Sequence, residues 1–181
     1  MFAPQGADGR RGGVVLGIDP GLTRCGFAAL EEAAGGISVM AMGVMTSPSD
    51  MDVAERLASL HHDISVLLDE TEPIAVAVEK VFFQSNARTA MSVAQASGVV
   101  LALASSRGIP VAQYSPSQVK SSVAGSGTAD KLAVQKMVQR RLGLSSLPQP
   151  ADAADAAAIA LCHLAVAPLS SAVASARVVR A

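Results

Sequence analysis

Two short apolar runs in this chain each end on an acid. Val14-Val15-Leu16-Gly17-Ile18 leads into Asp19, and Ile74-Ala75-Val76-Ala77-Val78 leads into Glu79. Short runs rich in β-branched residues and bounded by turn residues are the pattern of strands covered on both faces. Such a sheet requires helices on both of its sides, which narrows the fold class to α/β. Acids are rare at the tips of buried strands, because an ionised carboxylate is costly to desolvate. A third acidic placement lies in the Ala-rich stretch at 151–156, where Asp152 and Asp155 stand at i and i+3 and so share one helix face. Three such placements predict convergence on divalent cations, which offset the desolvation cost. A set of hard oxygen ligands suits Mg²⁺ or Mn²⁺, and these ions commonly act on phosphate esters.

The rest of the chain supplies the elements to bring the acids together. After the strand at 14–19, Pro20-Gly21 turns the chain into a returning strand at 26–30, and Gly35-Gly36 turns it into a third strand at 37–46. Short connections make these an antiparallel meander. A helix over 51–70 follows, with Val53, Leu57, Leu60, Ile64, Leu67 and Leu68 recurring at three- and four-residue steps, and Pro73 stops it. The strand at 74–79 precedes an apolar helix from Asn86 to Ser106 and a short strand from Pro110 to Tyr114. Ser115 opens a short helix carrying Lys120; Thr128 and Asp130 can cap a helix reaching Leu142. Pro148 and Pro150 form a rigid linker to a last helix over 151–167. The expected architecture is one α/β domain over 14–167: a mixed five-stranded sheet with helices on both faces. Residues 1–13 are expected to be a flexible extension and 168–181 a flexible tail. The small, Ala-lined first turn of the last helix permits close approach to the sheet.

Composition excludes several classes. No run approaches the ~20 apolar residues of a membrane span, and the first residues lack the apolar core of a secretory signal. Cys25 and Cys162 have neither metal-ligand nor redox spacing, so reduced thiols in a cytoplasmic protein are expected. The net charge of −1 is unevenly spread: residues 20–79 carry −8 and residues 80–149 carry +7. The basic half reads either as a solvated surface or as one that faces phosphate.

Taken singly, each acid has an ordinary structural explanation. Asp152 and Asp155 suit the first turn of a helix through the macrodipole. Glu79 could pair with Lys80 or Arg88, and Asp19 could be a turn residue. Jointly, beside a basic half, the metal reading is the better one. His163 shares the helix face of Asp152 but lies about 16 Å further along the axis, too far to coordinate with it. His61 and His62 read as surface residues. There is no phosphate loop of the GxxxxGK type, no Ser-His-Asp or Cys-His arrangement, and no nucleotide-cofactor motif.

These residues resemble the RuvC family of bacterial Holliday junction resolvases. The likeness spans Val14 to Ala167 and rests on GIDPG at 17–21, VEKVFF at 78–83 with Asn86, QVK at 118–120, GSGTADK at 125–131 and PADAADAAAIA at 150–160. It implies a ribonuclease-H-like fold, a homodimer, and symmetric hydrolysis of two strands of four-way junction DNA in recombination and repair, with two Mg²⁺ per subunit for which Mn²⁺ can substitute. It further implies cooperation with the RuvA–RuvB branch-migration complex. Carried across, Asp19, Glu79, Asp152 and Asp155 are the catalytic, metal-binding acids. Lys120 and Lys131 lie near the cleaved strand, and Phe82 stacks on an unpaired base. Lys80 and Arg88 are further candidates for DNA contact. The apolar girth of the helix from Asn86 to Ser106 suits burial against both the sheet and a second subunit.

Two other function classes compete. Actin-like ATPases and sugar kinases carry a first phosphate loop resembling GIDPG, but they need a second lobe and a second Gly-rich loop, for which 181 residues leave no room. A non-catalytic DNA-binding module would gain from losing acids near phosphate, yet all four are present.

Overall fold

The computed structural model describes residues 13–33, 35–81 and 87–178; side chains are described outside 87–89 and 168–178. The first apolar run is β1 (Val14–Asp19), at the centre of the sheet. β2 (Arg24–Ala33) returns antiparallel to it, and β3 (Gly36–Thr46) pairs antiparallel with β2 across a register shift at Ala29/Leu30. The second apolar run, β4 (Ala75–Glu79), lies parallel to β1 on its other side, and β5 (Val111–Tyr114) lies parallel to β4. The order across the sheet is therefore β3-β2-β1-β4-β5.

Alternation along the central strands sends side chains to two cores. Leu16, Ile18, Val76 and Val78 face α1 (Val53–Thr71) and α2 (Ala87–Ser106), against Leu60, Ile64, Val100 and Leu103. Val15, Ala28, Ala77 and Tyr114 face the opposite layer of α3 (Pro116–Ala124), α4 (Lys131–Arg141) and α5 (Ala151–Val178), against Val123, Val138, Ile159 and Leu161. Each fully buried Leu, Ile or Val contributes roughly 1.5–3 kcal/mol. The odd-numbered positions of β1 and β4, which include Asp19 and Glu79, share the α5 side of the sheet.

The helix ends follow their local chemistry. Ser115 caps α3 in a reciprocal box with Gln118, and the Asp130 side chain accepts from the Ala133 N–H at 2.7 Å to open α4. Glu72 ends α1 in a left-handed conformation just before Pro73.

Three expectations are corrected. Val53 opens the α1 stripe in the sequence but is 46% exposed, because it sits in the first turn before the helix reaches the sheet. β2 is longer than the 26–30 run suggests, since strand pairing with β3 extends through the polar Glu31 and Glu32. The last helix continues past Ala167 to Val178. Pro168 removes one backbone donor, but the Ala-rich sequence around it has the propensity to carry the helix on. Residues 1–12, most of the expected N-terminal extension, and 179–181 lie outside the described residues.

Candidate active site

The acids come together because glycine lets α5 approach the sheet. A Cβ on Gly17 would stand 2.8 Å from the Ala160 nitrogen and 2.9 Å from its Cβ, and closer still to the Ala156 carbonyl oxygen. A Cβ on Gly26 would meet the Asp152 carbonyl oxygen. Gly26 is the register partner of Asp19 across β1 and β2. The first turn of α5 is thus laid directly over the strand end that carries Asp19. β1 and β4 run in register through Ile18 and Val78, which leaves Asp19 and Glu79 side by side as the next residues of parallel strands.

The electrostatics record this convergence. Asp19 is pushed up to about 7, first by burial and then by the charges of Glu79, Asp155 and Asp152, with Lys131 acting the other way. Glu79 is raised by burial and by Asp155, partly relieved by Lys131 and Lys120. Two of the acids have cationic partners. Lys131 donates to Asp155 Oδ2 at 2.7 Å, and that hydrogen bond raises the Lys131 ammonium above its ordinary value. Arg24 Nε donates to Asp152 Oδ2 at 2.8 Å, and its terminal Nη2 forms an ion pair with the same oxygen at 2.8 Å. Among the described residues, no three acid, histidine or cysteine side chains stand close enough to chelate one ion as they are placed. The arrangement nonetheless fits a hard divalent cation: four carboxylates within electrostatic reach, two of them half-buried and held towards neutrality by mutual repulsion.

A cleft of about 220 Å³ opens beside the acids, lined by Glu79, Asp155, Lys120 and Lys131 with Val119 and Val134 as its apolar floor. Carboxylates and lysines lining one cleft suit a bound phosphate bridged by cations. Lys120, on α3, and Lys131, at the start of α4, therefore reach the site as the sequence implies. Lys80 is exposed just beyond β4, and its backbone N–H donates to the Tyr114 carbonyl at 2.8 Å. Arg88 is in the first turn of α2, but its side chain, like all of Phe82, Phe83 and Asn86, lies outside the described residues. His163 is half-buried with its Nδ1 2.9 Å from the Tyr114 hydroxyl, a packing role, and burial lowers its pKa. His61 and His62 are exposed on α1.

Sequence reasoning missed Arg24. Its signal was present: it is one of only two bases between residues 20 and 79 and lies five residues after Asp19. It also missed Arg56, which is 8% exposed and donates to Ser47 Oγ at 3.0 Å and Thr23 Oγ1 at 2.7 Å, pinning the β1–β2 turn from beneath.

A family model described as crossover junction endodeoxyribonuclease RuvC matches residues 15–163. A relative of that description in Frankia casuarinae is 53% identical over 154 residues, covering 83% of this chain and 88% of its own length. Another, in Cutibacterium acnes, is 47% identical over 165 residues, covering 91% and 84%. Among solved structures, Thermus thermophilus RuvC in complex with Holliday junction substrate superposes with a TM-score of 0.81 at 38% identity, covering 87% of this chain and 96% of that one.

Proposed function

The chain belongs to the RuvC family of crossover junction endodeoxyribonucleases, and from that premise we infer that it resolves four-way DNA junctions by hydrolysing phosphodiesters in two strands. The observation that carries this reading is the convergence of four carboxylates, Asp19 lying within the fields of Glu79, Asp155 and Asp152, beside a cleft lined by Glu79, Asp155, Lys120 and Lys131. Negative charge is concentrated where a cation-bridged phosphate would sit. Neither a nucleotide-handling enzyme nor a passive DNA-binding module accounts for that arrangement.

Asp19, Glu79, Asp152 and Asp155 would hold two Mg²⁺, with Mn²⁺ able to substitute. When bound, such a pair activates water and stabilises charge on the departing 3′ oxygen. Asp19 and Glu79, fixed on neighbouring strand ends, form the rigid side of the site; Asp152 and Asp155 approach on α5. Lys131 and Lys120 neutralise the phosphate of the cleaved strand, and their ammonium groups are already at the cleft wall. Lys80 and Arg88, on the chain leaving β4 and entering α2, would contact flanking backbone. Phe82, between them, would stack on an unpaired base, a contact contributing ~1–3 kcal/mol.

Symmetric cleavage requires two sites, and α2 supports a homodimer: Met91 is 63% exposed, and Val93 and Ala94 are only half-buried. A two-fold axis there would present paired sites to opposite strands. Cooperation with a RuvA–RuvB complex and a cytoplasmic location accord with this role; no helix among the described residues is long and apolar enough to cross a membrane.

Asp19→Asn tests the reading. The variant is expected to shift a four-way junction as the natural protein does and to cut it at a negligible rate, with natural-protein products mapping to symmetric positions on two strands. Undiminished cutting by the variant would refute the assignment.

A further inference from the structure

We infer that Arg24 is a further working residue of this site: it stands in for a cation at Asp152 when none is bound, and passes to a DNA phosphate when one is. The inference rests on the reading of the four acids as the metal-binding set.

The geometry of the pair carries the first half. Arg24 Nε and Nη2 both lie 2.8 Å from a single oxygen, Asp152 Oδ2, with the hydrogen bond made by Nε, rather than forking across the carboxylate. It thus forgoes the two-oxygen geometry that makes arginine–carboxylate pairs strong. The side chains are 48% and 30% exposed, and pairs so placed contribute little. A doubly charged ion coordinating the same oxygen displaces such a partner.

The second half follows from how the residue is rooted. Thr23, its neighbour, accepts from the buried Arg56 at 2.7 Å, and the Ser47 N–H donates to the Thr23 carbonyl at 3.2 Å. Ser47 Oγ donates to the Leu22 carbonyl at 2.6 Å and accepts from Arg56 Nε at 3.0 Å. The backbone beneath Arg24 is therefore fixed, while its side chain is half in solvent. A guanidinium released from Asp152 stays beside that acid, with access to solvent. A planar, permanently charged fork there matches a phosphate. Arg24 and Lys131 would then both grip the strand.

The full-length protein tests this with Mn²⁺ titrations read by electron paramagnetic resonance and with junction shifts over a KCl series. Arg24→Ala is expected to bind Mn²⁺ several-fold more tightly than the natural protein, because a competing positive charge is gone. In Ca²⁺ its junction affinity should fall, and the log–log salt slope should drop by about one per subunit. In EDTA the two slopes should match. Arg24→Lys should retain the natural slope in Ca²⁺. Unchanged or weaker Mn²⁺ binding by Arg24→Ala, or equal slopes in Ca²⁺, overturns the inference. Asp19→Asn separates this from the underlying reading: if it binds Mn²⁺ like the natural protein, the acid site itself fails and Arg24 with it.

Discussion

Replacing Gly17 with alanine is expected to slow junction cleavage by about 100-fold while leaving junction binding nearly unchanged. The added methyl would lie 2.8 Å from the Ala160 nitrogen and 2.9 Å from its Cβ. The Ala156 carbonyl oxygen would be closer still; comfortable contacts lie at ~3.5–4.0 Å, so α5 must retreat by about 1 Å or more. Overpacking of this kind costs about 1–3 kcal/mol. At ~2–4 °C per kcal/mol for a domain of this size, the melting temperature should fall by about 2–12 °C. The catalytic loss exceeds the stability loss because of where the strain falls. Asp152 and Asp155 ride on α5, whereas Asp19 is two residues from Gly17 on the strand. Retreat of the helix opens the acid cluster directly, and misplacement by about 1 Å costs on the order of 10²-fold in rate. Single-turnover cleavage at saturating Mg²⁺, a junction shift in Ca²⁺ and a thermal melt measure the three quantities. Gly35→Ala is the control, since its methyl meets nothing within 4 Å. Cleavage and melting by Gly17→Ala indistinguishable from the natural protein would refute the idea that close helix–strand approach assembles this site.

Without metal, stability should depend on pH through Asp19. Its carboxyl is raised from 3.8 to about 7, so the folded state holds a proton that the unfolded chain releases. That contribution is fully present below about pH 3.8 and is lost as pH rises to about 7, so melts in EDTA should show it; Asp19→Asn should flatten the trend, and a trend unchanged in that variant would count against it. Lys131→Ala should slow cleavage more than it weakens binding, because Lys131 touches Asp155 as well as the cleft; equal losses would make it a simple phosphate anchor. Arg56→Ala should destabilise by about 2–4 kcal/mol, since the packing of a buried side chain is lost and the Ser47 and Thr23 hydroxyls lose their donor; a urea midpoint unmoved would show the turn needs no such anchor.

Strand and helix identity was largely legible in the chain. The apolar runs ending on Asp19 and Glu79 became neighbouring central strands, and the spacing of Asp152 and Asp155 put both on one face of α5. Periodicity is a local property, and local sequence carries it. The length of β2 was not legible, because pairing with β3 rather than its own polar end holds it in place. Arg24 stood out as one of only two bases between residues 20 and 79, but its pairing with Asp152, 128 residues away, was hidden, because no local pattern joins them.

By itself, then, the order of residues determined which elements form, which acids sit at their ends, and that the first turn of the last helix is small enough for close approach. Only tertiary structure decided that Gly17 and Gly26 face α5, that Arg24 and Lys131 each take one acid, and that Asp19, which makes no ion pair among the described residues, is buried and pushed up to about 7. The reason is physical: Coulomb and packing energies depend on separation in space, which chain order encodes only after the sheet and helices have docked.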